Sequence, residues 1–478
     1  MTNLSAINPR TGIADFSFEA ASREQIAAAA AAAREAQPGW SALTIEGRIA
    51  LLMRWVEQIR LRRVAIAEAL TLDTGRRRIS YEEVDVICHM VEGHAERARV
   101  LFNQNAAEID APKSGGGVDF EPQLVPYGVT GVISPWNFPV ILSFIDAIPA
   151  LLAGNAVIIK PSEVTPRFVT PLAEAIAAVP ELDGIITLVL GDAQTGQALI
   201  ENVDLIIFTG SVANGRKVAE SAARRLIPAF LELGGKDPAI VLPGADLERA
   251  ATAIVRSAVY NSGQVCYSIE RVYVHDDIHD AFVGLLAEKA AALDINHPDI
   301  GRGEIGPFIH QRQAEIVREQ IEDAVQKGAC ILTGGRIEEH DGGRWLRATV
   351  IDGINHGMRL MTDETFGPVI PVMRFASEDE AVALANDTIF GLSGAVFAAT
   401  LEEGTALARR INAGGISIND TELTRAITFS AEKNAFACSG LGGSRYGTTA
   451  TFRYMRKKAL IRNGGAVKDL SALSEHGG

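Results

Sequence analysis

Two periods of apolar and polar residues run along this 478-residue chain, and the change from one to the other marks how it is organised. Over roughly the first hundred residues the period is helical. Ser22 with Gln25 has the form of a capping box, and the alanine-rich run behind it predicts a helix to about Ala36. From residue 40 to 74 apolar side chains recur three and four apart, with Leu51, Leu52, Trp55, Val56 and Ile59 on one stripe. That pattern predicts one long amphipathic helix. Another is predicted from about Ile79 to Phe102, with a turn at residues 8–12 and a flexible joint at 113–117. The stretch 118–132 is strand-like, yet Pro122 and Pro126 lack the N–H that a central strand donates. An edge or a projecting ribbon suits it better.

From Gly131 the texture shifts to short apolar runs separated by helical ones. Residues 129–133, 156–159, 185–190 and 205–208 have the near-continuous apolar character of parallel strands buried on both faces. Residues 144–153, 167–178 and 212–225 fit as the crossover helices. This alternation predicts a doubly wound, Rossmann-like α/β domain ending with a strand near Phe230 and Leu231. Asp237 and Pro238 open a second α/β block: a helix over 247–260, a strand over 271–274 and a helix over 280–293. Later strands follow at 369–375, 393–397 and 415–418. Residues 459–462 form a candidate closing strand before a Gly- and Ser-containing tail. The expected division is 1–117 with 129–238 as one domain and 239–434 as a second. Residues 118–128 with 452–478 make a small β arm and tail.

Composition narrows the class. A hydrophobic share of 47% with 22% charged residues is the balance of a folded globular chain, and the length calls for more than one domain. No apolar run approaches the ~20 residues of a membrane span, and the start at Met1, Thr2 and Asn3 lacks the basic and apolar regions of a secretory signal. A net charge of −14 without a compensating basic stripe speaks against general nucleic-acid binding. The arginines between 60 and 78 alternate with acidic and apolar residues at helical spacing, so a solvated helix face is expected for them. Cys88, Cys266, Cys330 and Cys438 lie far apart without a CxxC pair. That points away from disulfides and zinc and towards the reducing cytosol. His275 and His279 mimic the HExxH spacing, but His275 should end a strand and Asp276 with Asp277 should open a helix. No metal site is expected there.

Candidate chemistry gathers around Asn261, Ser262, Gly263, Gln264, Val265 and Cys266. A lone cysteine is more often a small apolar filler. At a Gly-containing turn, however, its sulfur can attack a carbonyl while its own N–H faces the resulting oxyanion. Four further stretches make sense around such a sulfur. Asn137 sits between Pro135 and Pro139, so its amide is held as an oxyanion donor must be. Lys160 and Glu163 follow a predicted strand, at the sheet edge where a dinucleotide lies; the carboxylate can accept from both ribose hydroxyls. After the next strand Gly210 precedes Ser211, a predicted N-cap whose helix start favours phosphate, although neither a P-loop nor GxGxxG is present. Glu232, between Leu231 and Leu233 and before two glycines, fits an apolar cleft in which its proton affinity suits a general base. Glu364, Phe366 and Pro368 add a carboxylate, an aromatic ring and a rigid turn, a clasp for a ribose and a flat ring.

With these motifs in place the chain resembles the aldehyde dehydrogenase superfamily, from about Asn8 to Ile461. PWNFP at 135–139, KPSE at 160–163, FTGS at 208–211, LELGGKDP at 231–238, GQVC at 263–266 and ETFGP at 364–368 occur in the family's order and at its spacing. The resemblance implies oxidation of an aldehyde to the acid through a thioester, with NAD, or NADP, as cofactor and no metal. Cys266 would be the nucleophile, Glu232 the base that activates water, and Asn137 with the Cys266 N–H the oxyanion donors. Lys160 and Glu163 would hold the adenosine ribose, Gly210 and Ser211 the pyrophosphate, and Glu364 with Phe366 the nicotinamide riboside, with Trp136 a further cofactor contact. Family members join subunits through an arm like 118–128, so a homodimer or homotetramer is expected. Glu163 would repel a 2′-phosphate, which favours NAD.

Two departures stand out. Residues 435–438 read Ala-Phe-Ala-Cys where the family has PFGG and a lysine, and Asp146 stands where many members carry lysine. Both unsettle any inherited substrate. Tyr267 and the apolar run 140–144 point to an aromatic or medium-chain aldehyde, whereas a semialdehyde dehydrogenase would want an arginine, for which Arg425 is the candidate. A CoA-acylating enzyme is a second alternative, against which Glu232 stands. An inactive cofactor-binding protein is a third, and it would need none of Cys266, Glu232 and Asn137.

Overall fold

The computed structural model describes residues 2–108, 117–473 and 475. Its first sheet has the order Gly440–Leu441, Ala229–Glu232, Leu205–Thr209, Val129–Ile133, Ala156–Lys160, Ile186–Leu188. Neighbours pair in parallel except Gly440–Leu441, which runs antiparallel to Ala229–Glu232. The chain enters at Val129–Ile133, winds out to Ile186–Leu188 and returns on the other side with Leu205–Thr209. Strand order therefore reverses between Ile133 and Phe208, and the carboxyl ends of those strands are where a doubly wound sheet takes its ligand. Every residue of Ala156–Lys160 and Leu205–Thr209 is buried, which is why their sequences show no alternation.

The second sheet has the order Cys330–Thr333, Thr349–Asp352, Val369–Phe375, Ile269–His275, Asp237–Val241, Ser393–Phe397, Gly415–Ile418, with only Cys330–Thr333 antiparallel. Asp237–Val241, foreseen only as a boundary, is one of its inner strands. Val118–Pro126 pairs antiparallel with Met455–Asn463 in a two-stranded ribbon, placing Pro122 opposite Ala459. The two prolines are accommodated because this ribbon belongs to neither sheet.

Several expectations need correction. The helix expected over 40–74 is broken. Trp40 belongs to Arg23–Ala42, whose capping box between Ser22 and Gln25 is present. Thr44 then caps Ile45–Leu61 by accepting from the Gly47 N–H, and Arg62 (φ −104°, ψ 11°) interrupts before Arg63–Thr74. The apolar stripe survives both breaks because successive pieces bury it in one core, and periodicity alone reads straight through them. The helix expected over 144–153 is likewise two, Pro139–Phe144 and Ala147–Leu152, with Asp146 buried at the break. Arg76 is not on a solvated face: it is buried, with Glu83 as its partner. Two hairpins, Asn3–Ile7 with Ala14–Glu19 and Ile337–His340 with Gly343–Leu346, flank turns whose strands were too short to stand out. Positions 113–116 of the expected joint, and 474 and 476–478 of the tail, lie outside the described residues. No helix among the described residues is long and apolar enough to cross a membrane.

Candidate active site

Helix Leu247–Val259 delivers the chain into a turn of three successive left-handed residues, Asn261 (φ 52°), Ser262 (φ 57°) and Gly263 (φ 70°). For a residue with a Cβ that conformation costs roughly 1–2 kcal/mol, least for asparagine. Side-chain bonds offset it. Asn261 Nδ2 donates to the carbonyls of Asn137 (3.1 Å) and Gln264 (3.0 Å), and Ser262 Oγ donates to the Gly306 carbonyl at 3.0 Å. Gly263 is needed for a second reason, since a Cβ there would lie 2.2 Å from the Gly367 carbonyl. The close approach seats the turn on the loop that carries Glu364 and Phe366.

The loop bearing Asn137 is locked to the same turn. Asn137 is 3% exposed, and its Nδ2 donates to the Gln264 carbonyl at 3.0 Å. Its own carbonyl accepts from Arg76 Nη2 (2.7 Å), and Arg76 also bonds Asn261 Oδ1. Glu83 pairs with Arg76 at 2.7 Å and accepts from the N–H groups of Val140 (3.0 Å) and Ile141 (3.2 Å), at the start of helix Pro139–Phe144. One buried ion pair thus joins the asparagine loop, a helix start and the cysteine turn. Neither Arg76 nor Glu83 was singled out from sequence, because each lies among similar charges on a helix-like pattern.

Cys266, Asn137 and Glu232 line a single cavity of about 430 Å³. Among the described residues the Cys266 N–H has no hydrogen-bond acceptor. Burial pushes the Cys266 thiol up to about 12, helped by the Glu364 and Asp237 carboxylates and opposed by Arg445 and Lys433. At neutral pH the sulfur is therefore protonated and must lose its proton before it attacks.

Glu232 ends strand Ala229–Glu232, its backbone held between Leu205–Thr209 and Gly440–Leu441. The apolar cleft expected around it is not what surrounds its carboxylate. Arg445 Nε lies 3.4 Å and Arg453 Nη1 3.8 Å from Oε1, brought in from the far end of the chain. Lys433 also lines the cavity, donating to the Leu392 carbonyl (3.3 Å) and Ser393 Oγ (3.2 Å), its ammonium lowered by burial. None of these cations carries a local signal in sequence.

The loop of Glu364 and Phe366 rests on a fully buried ion pair, Lys236 with Glu270 at 2.9 Å. Glu270 accepts from the N–H groups of Thr365 (2.8 Å) and Phe366 (2.7 Å), which helps hold Phe366 at a left-handed φ of 55°. Glu364 lies against Gly234 and Gly235, accepting from the Gly235 N–H at 3.2 Å; burial and the Glu270 charge raise it above the usual carboxylate range. Trp136 meets Phe366 edge to face at 5.5 Å and His310 at 6.0 Å.

The remaining predicted residues lie at the carboxyl edge of the first sheet. Lys160 is buried at the end of its strand, bonded to the Pro161 carbonyl (3.0 Å) and to Glu163 (3.2 Å), and burial lowers its ammonium. Glu163 is half-exposed. Gly210 follows Leu205–Thr209, its N–H on the Glu232 carbonyl at 3.1 Å, and Ser211 caps helix Val212–Arg225 through the Asn214 N–H. An ammonium with one donor unspent, a half-exposed carboxylate and a free helix start fit a dinucleotide, whose ribose and phosphates need just those groups. His275 ends a strand and His279 starts a helix, with a turn between them. Among the described residues no group of three or more His, Cys, Asp or Glu could hold a metal.

Comparison with known proteins agrees over nearly the whole chain. The model of the aldehyde dehydrogenase family matches residues 2–460. The solved structure of PutA from Anabaena variabilis is 48% identical, with a TM-score of 0.93 over 98% of this chain and 99% of that one. A Mycolicibacterium smegmatis protein provisionally named succinate-semialdehyde dehydrogenase (NADP+) is 34% identical over 91% of this chain and 84% of its own length. The 4,4'-diapolycopene aldehyde oxidase of Methylomonas sp is 35% identical over 88% of this chain and 78% of its own.

Proposed function

The chain belongs to the aldehyde dehydrogenase family, and from that premise we propose how its residues divide the work of oxidising an aldehyde to the acid with NAD or NADP. The observation that carries the reading is one cavity lined by a thiol, a fixed amide and a carboxylate, Cys266, Asn137 and Glu232. Cys266 loses its proton and its sulfur adds to the aldehyde carbon. Charge grows on the former carbonyl oxygen, and Asn137 Nδ2 and the Cys266 N–H donate to it. The dinucleotide, when bound, supplies the acceptor for the hydride that leaves that carbon, so the acyl group stays on sulfur. Glu232 takes a proton from water as the water adds to the thioester, the C–S bond breaks, and the acid departs with the thiol restored. Lys160 and Glu163 hold the adenosine ribose, Gly210 and Ser211 the pyrophosphate, and Glu364, Phe366 and Trp136 the nicotinamide end. Glu163 against the ribose makes NAD the preferred cofactor.

The aldehyde itself is apolar in this reading, aromatic or of medium chain. Val86, Met90, Phe138, Ile141, Leu142 and Phe429 supply the wall of the cavity. The arginine that the sequence offers for a substrate carboxylate is already engaged: Arg425 Nε donates to Tyr267 Oη at 2.9 Å, its Nη2 is 3.7 Å from Glu422, and it lies 4.3 Å over the Tyr260 ring. A panel of aldehydes followed by absorbance of the reduced cofactor tests this. Hexanal and benzaldehyde should show the higher kcat/KM, and a preference for succinate semialdehyde would overturn it.

The ribbon of Val118–Pro126 and Met455–Asn463 joins two subunits or more. Alone in water such a ribbon is marginal, and Phe120, Leu460 and Ile461 are left exposed on it. Light scattering on the full chain, and on a variant truncated before Ala459, tests the arm; a monomer at micromolar concentration rules it out. All four cysteines are free thiols, which supports a reducing, cytoplasmic setting.

A further inference from the structure

Behind Glu232 lies a cluster of buried charges for which the chemistry above has no use. Asp146, fully buried at the break between two short helices, accepts from Tyr454 Oη at 2.6 Å. It lies 2.9 Å from Arg445 Nη2 and 3.8 Å from Arg453 Nη1. Both guanidiniums also reach Glu232, at 3.4 and 3.8 Å. Two cations and two carboxylates therefore share one site with no net charge, the condition under which buried charges persist. Arg445 is fixed further by Thr209 Oγ1 at 3.0 Å.

Arg453 differs from Arg445. Its side chain is 5% exposed and lies 4.4 Å over the Phe230 ring. Among the described residues none of its three nitrogens has a hydrogen-bond partner. A buried guanidinium with unspent donors is costly unless an acceptor comes to it. Asp146 and Glu232 lie equally near, each 3.8 Å from Nη1, and of the two Glu232 lines the cavity. Among the described residues its carboxylate is paired only at ion-pair range, with Arg445 Nε at 3.4 Å and Arg453 Nη1 at 3.8 Å, and it stands where the cluster opens into the cavity.

We propose that Asp146, Arg445 and Arg453 are positioning residues for Glu232: Asp146 anchors the two guanidiniums, and they hold the carboxylate in place for the hydrolysis of acyl-Cys266. The proposal rests on Glu232 as the base of that step. It gives a role to Asp146, the buried acid that faces both guanidiniums. The guanidiniums that face Glu232 come from residues 445 and 453.

Stopped-flow measurement of the reduced cofactor separates the two halves of the reaction. In Arg445→Gln the first turnover should keep its stoichiometric burst, slowed only modestly by the loss of a cation that opposes the raised thiol of Cys266. The steady rate that follows should fall by roughly 10²-fold, the scale expected when a catalytic group is misplaced by about an ångström. Mass spectrometry of quenched enzyme should then find the acyl group on Cys266. Asp146→Asn, which changes charge without volume, should behave alike and stands in if Arg445→Gln does not fold. Arg445→Lys should recover part of the slow phase. A purely structural role would lower burst and steady rate together, and that result overturns the inference. Glu232→Gln serves as the reference. If it hydrolyses the acyl-enzyme at the native rate, the underlying reading of Glu232 fails; if it stalls while Arg445→Gln and Asp146→Asn turn over normally, only the positioning role fails.

Discussion

Cys266 has two unlike sides. On one, Asn137, Asn261, Gln264 and the Glu364 loop are joined through backbone carbonyls and N–H groups, and three left-handed residues bring the sulfur into place. On the other, side chains from the region of residues 425–454 reach back across the chain: Arg425 to Tyr267, Arg445 to Glu232 and Asp146, Tyr454 to Asp146. The first side is built from backbone shape, which only certain residues at fixed offsets can supply. The second is built from long side chains meeting in space, for which no offset is required. A site can be highly ordered on both sides and yet be written into the sequence on one.

If the backbone-built side carries the chemistry, its removal should be the most damaging change. Cys266→Ala should abolish aldehyde oxidation while cofactor binding, followed by fluorescence quenching, stays nearly intact. Residual turnover above background would break the assignment at its centre. Asn137→Ala comes next, with kcat lower by roughly 10²- to 10³-fold, the usual loss for one oxyanion donor. A change confined to KM would move Asn137 from the reacting oxygen to the binding of substrate. Since Asn137 also holds the Gln264 carbonyl at 3.0 Å, thermal unfolding of the variant should be measured alongside.

The same contrast explains how much could be read beforehand. The doubly wound order, the strands at Val129–Ile133 and Ser393–Phe397 and the pairing of the ribbon were legible, because apolar runs and proline constraints are local. So was the gathering of Cys266, Asn137 and Glu232 around one cavity, through glycine and proline at positions where the backbone bends sharply. The breaks at Thr44 and Arg62 were not, since an apolar stripe continues across them. Arg76 looked like its exposed neighbours, although it ties Asn137 to the cysteine turn. The surroundings of Glu232 were misjudged for a like reason: Leu231 and Leu233 are its neighbours in sequence, whereas Arg445 and Arg453 are its neighbours in space.

The acidity of Cys266 is where the two sides act on one atom. Burial holds the thiol at about 12, Glu364 and Asp237 add to the rise, and Arg445 and Lys433 oppose it. A raised value means the neutral thiol dominates at every pH well below it, and the thiolate fraction grows tenfold with each unit of pH. In the free enzyme, alkylation of Cys266 by iodoacetamide should therefore rise about tenfold per unit from pH 7 to 9 with no plateau. Peptide mapping is needed to separate it from Cys330, which is exposed. Lys433→Met removes one opposing cation and should slow the reaction further at each pH. A plateau near pH 7 would mean that the cationic side dominates, and would reverse the weight given to burial.

The smallest effect concerns cofactor choice, and here the sides differ in what they leave free. Glu163 belongs to a legible motif, yet its carboxylate is half-exposed and spends part of its charge on Lys160 at 3.2 Å. Against the 2′-phosphate of NADP it would set two like charges a few ångströms apart. In water-like surroundings that is worth about 1 kcal/mol at 4 Å, less what Lys160 neutralises. The native enzyme should accordingly favour NAD by kcat/KM, but by no more than about fivefold, a factor of ten being 1.4 kcal/mol. Glu163→Gln keeps the shape of the side chain and removes its charge. It should improve kcat/KM for NADP while costing some affinity for NAD, since the neutral amide accepts more weakly from the ribose hydroxyls. If the ratio of the two cofactors is unmoved by Glu163→Gln, the carboxylate does not face the ribose. The preference must then come from Lys160, whose ammonium can reach either a hydroxyl or a phosphate.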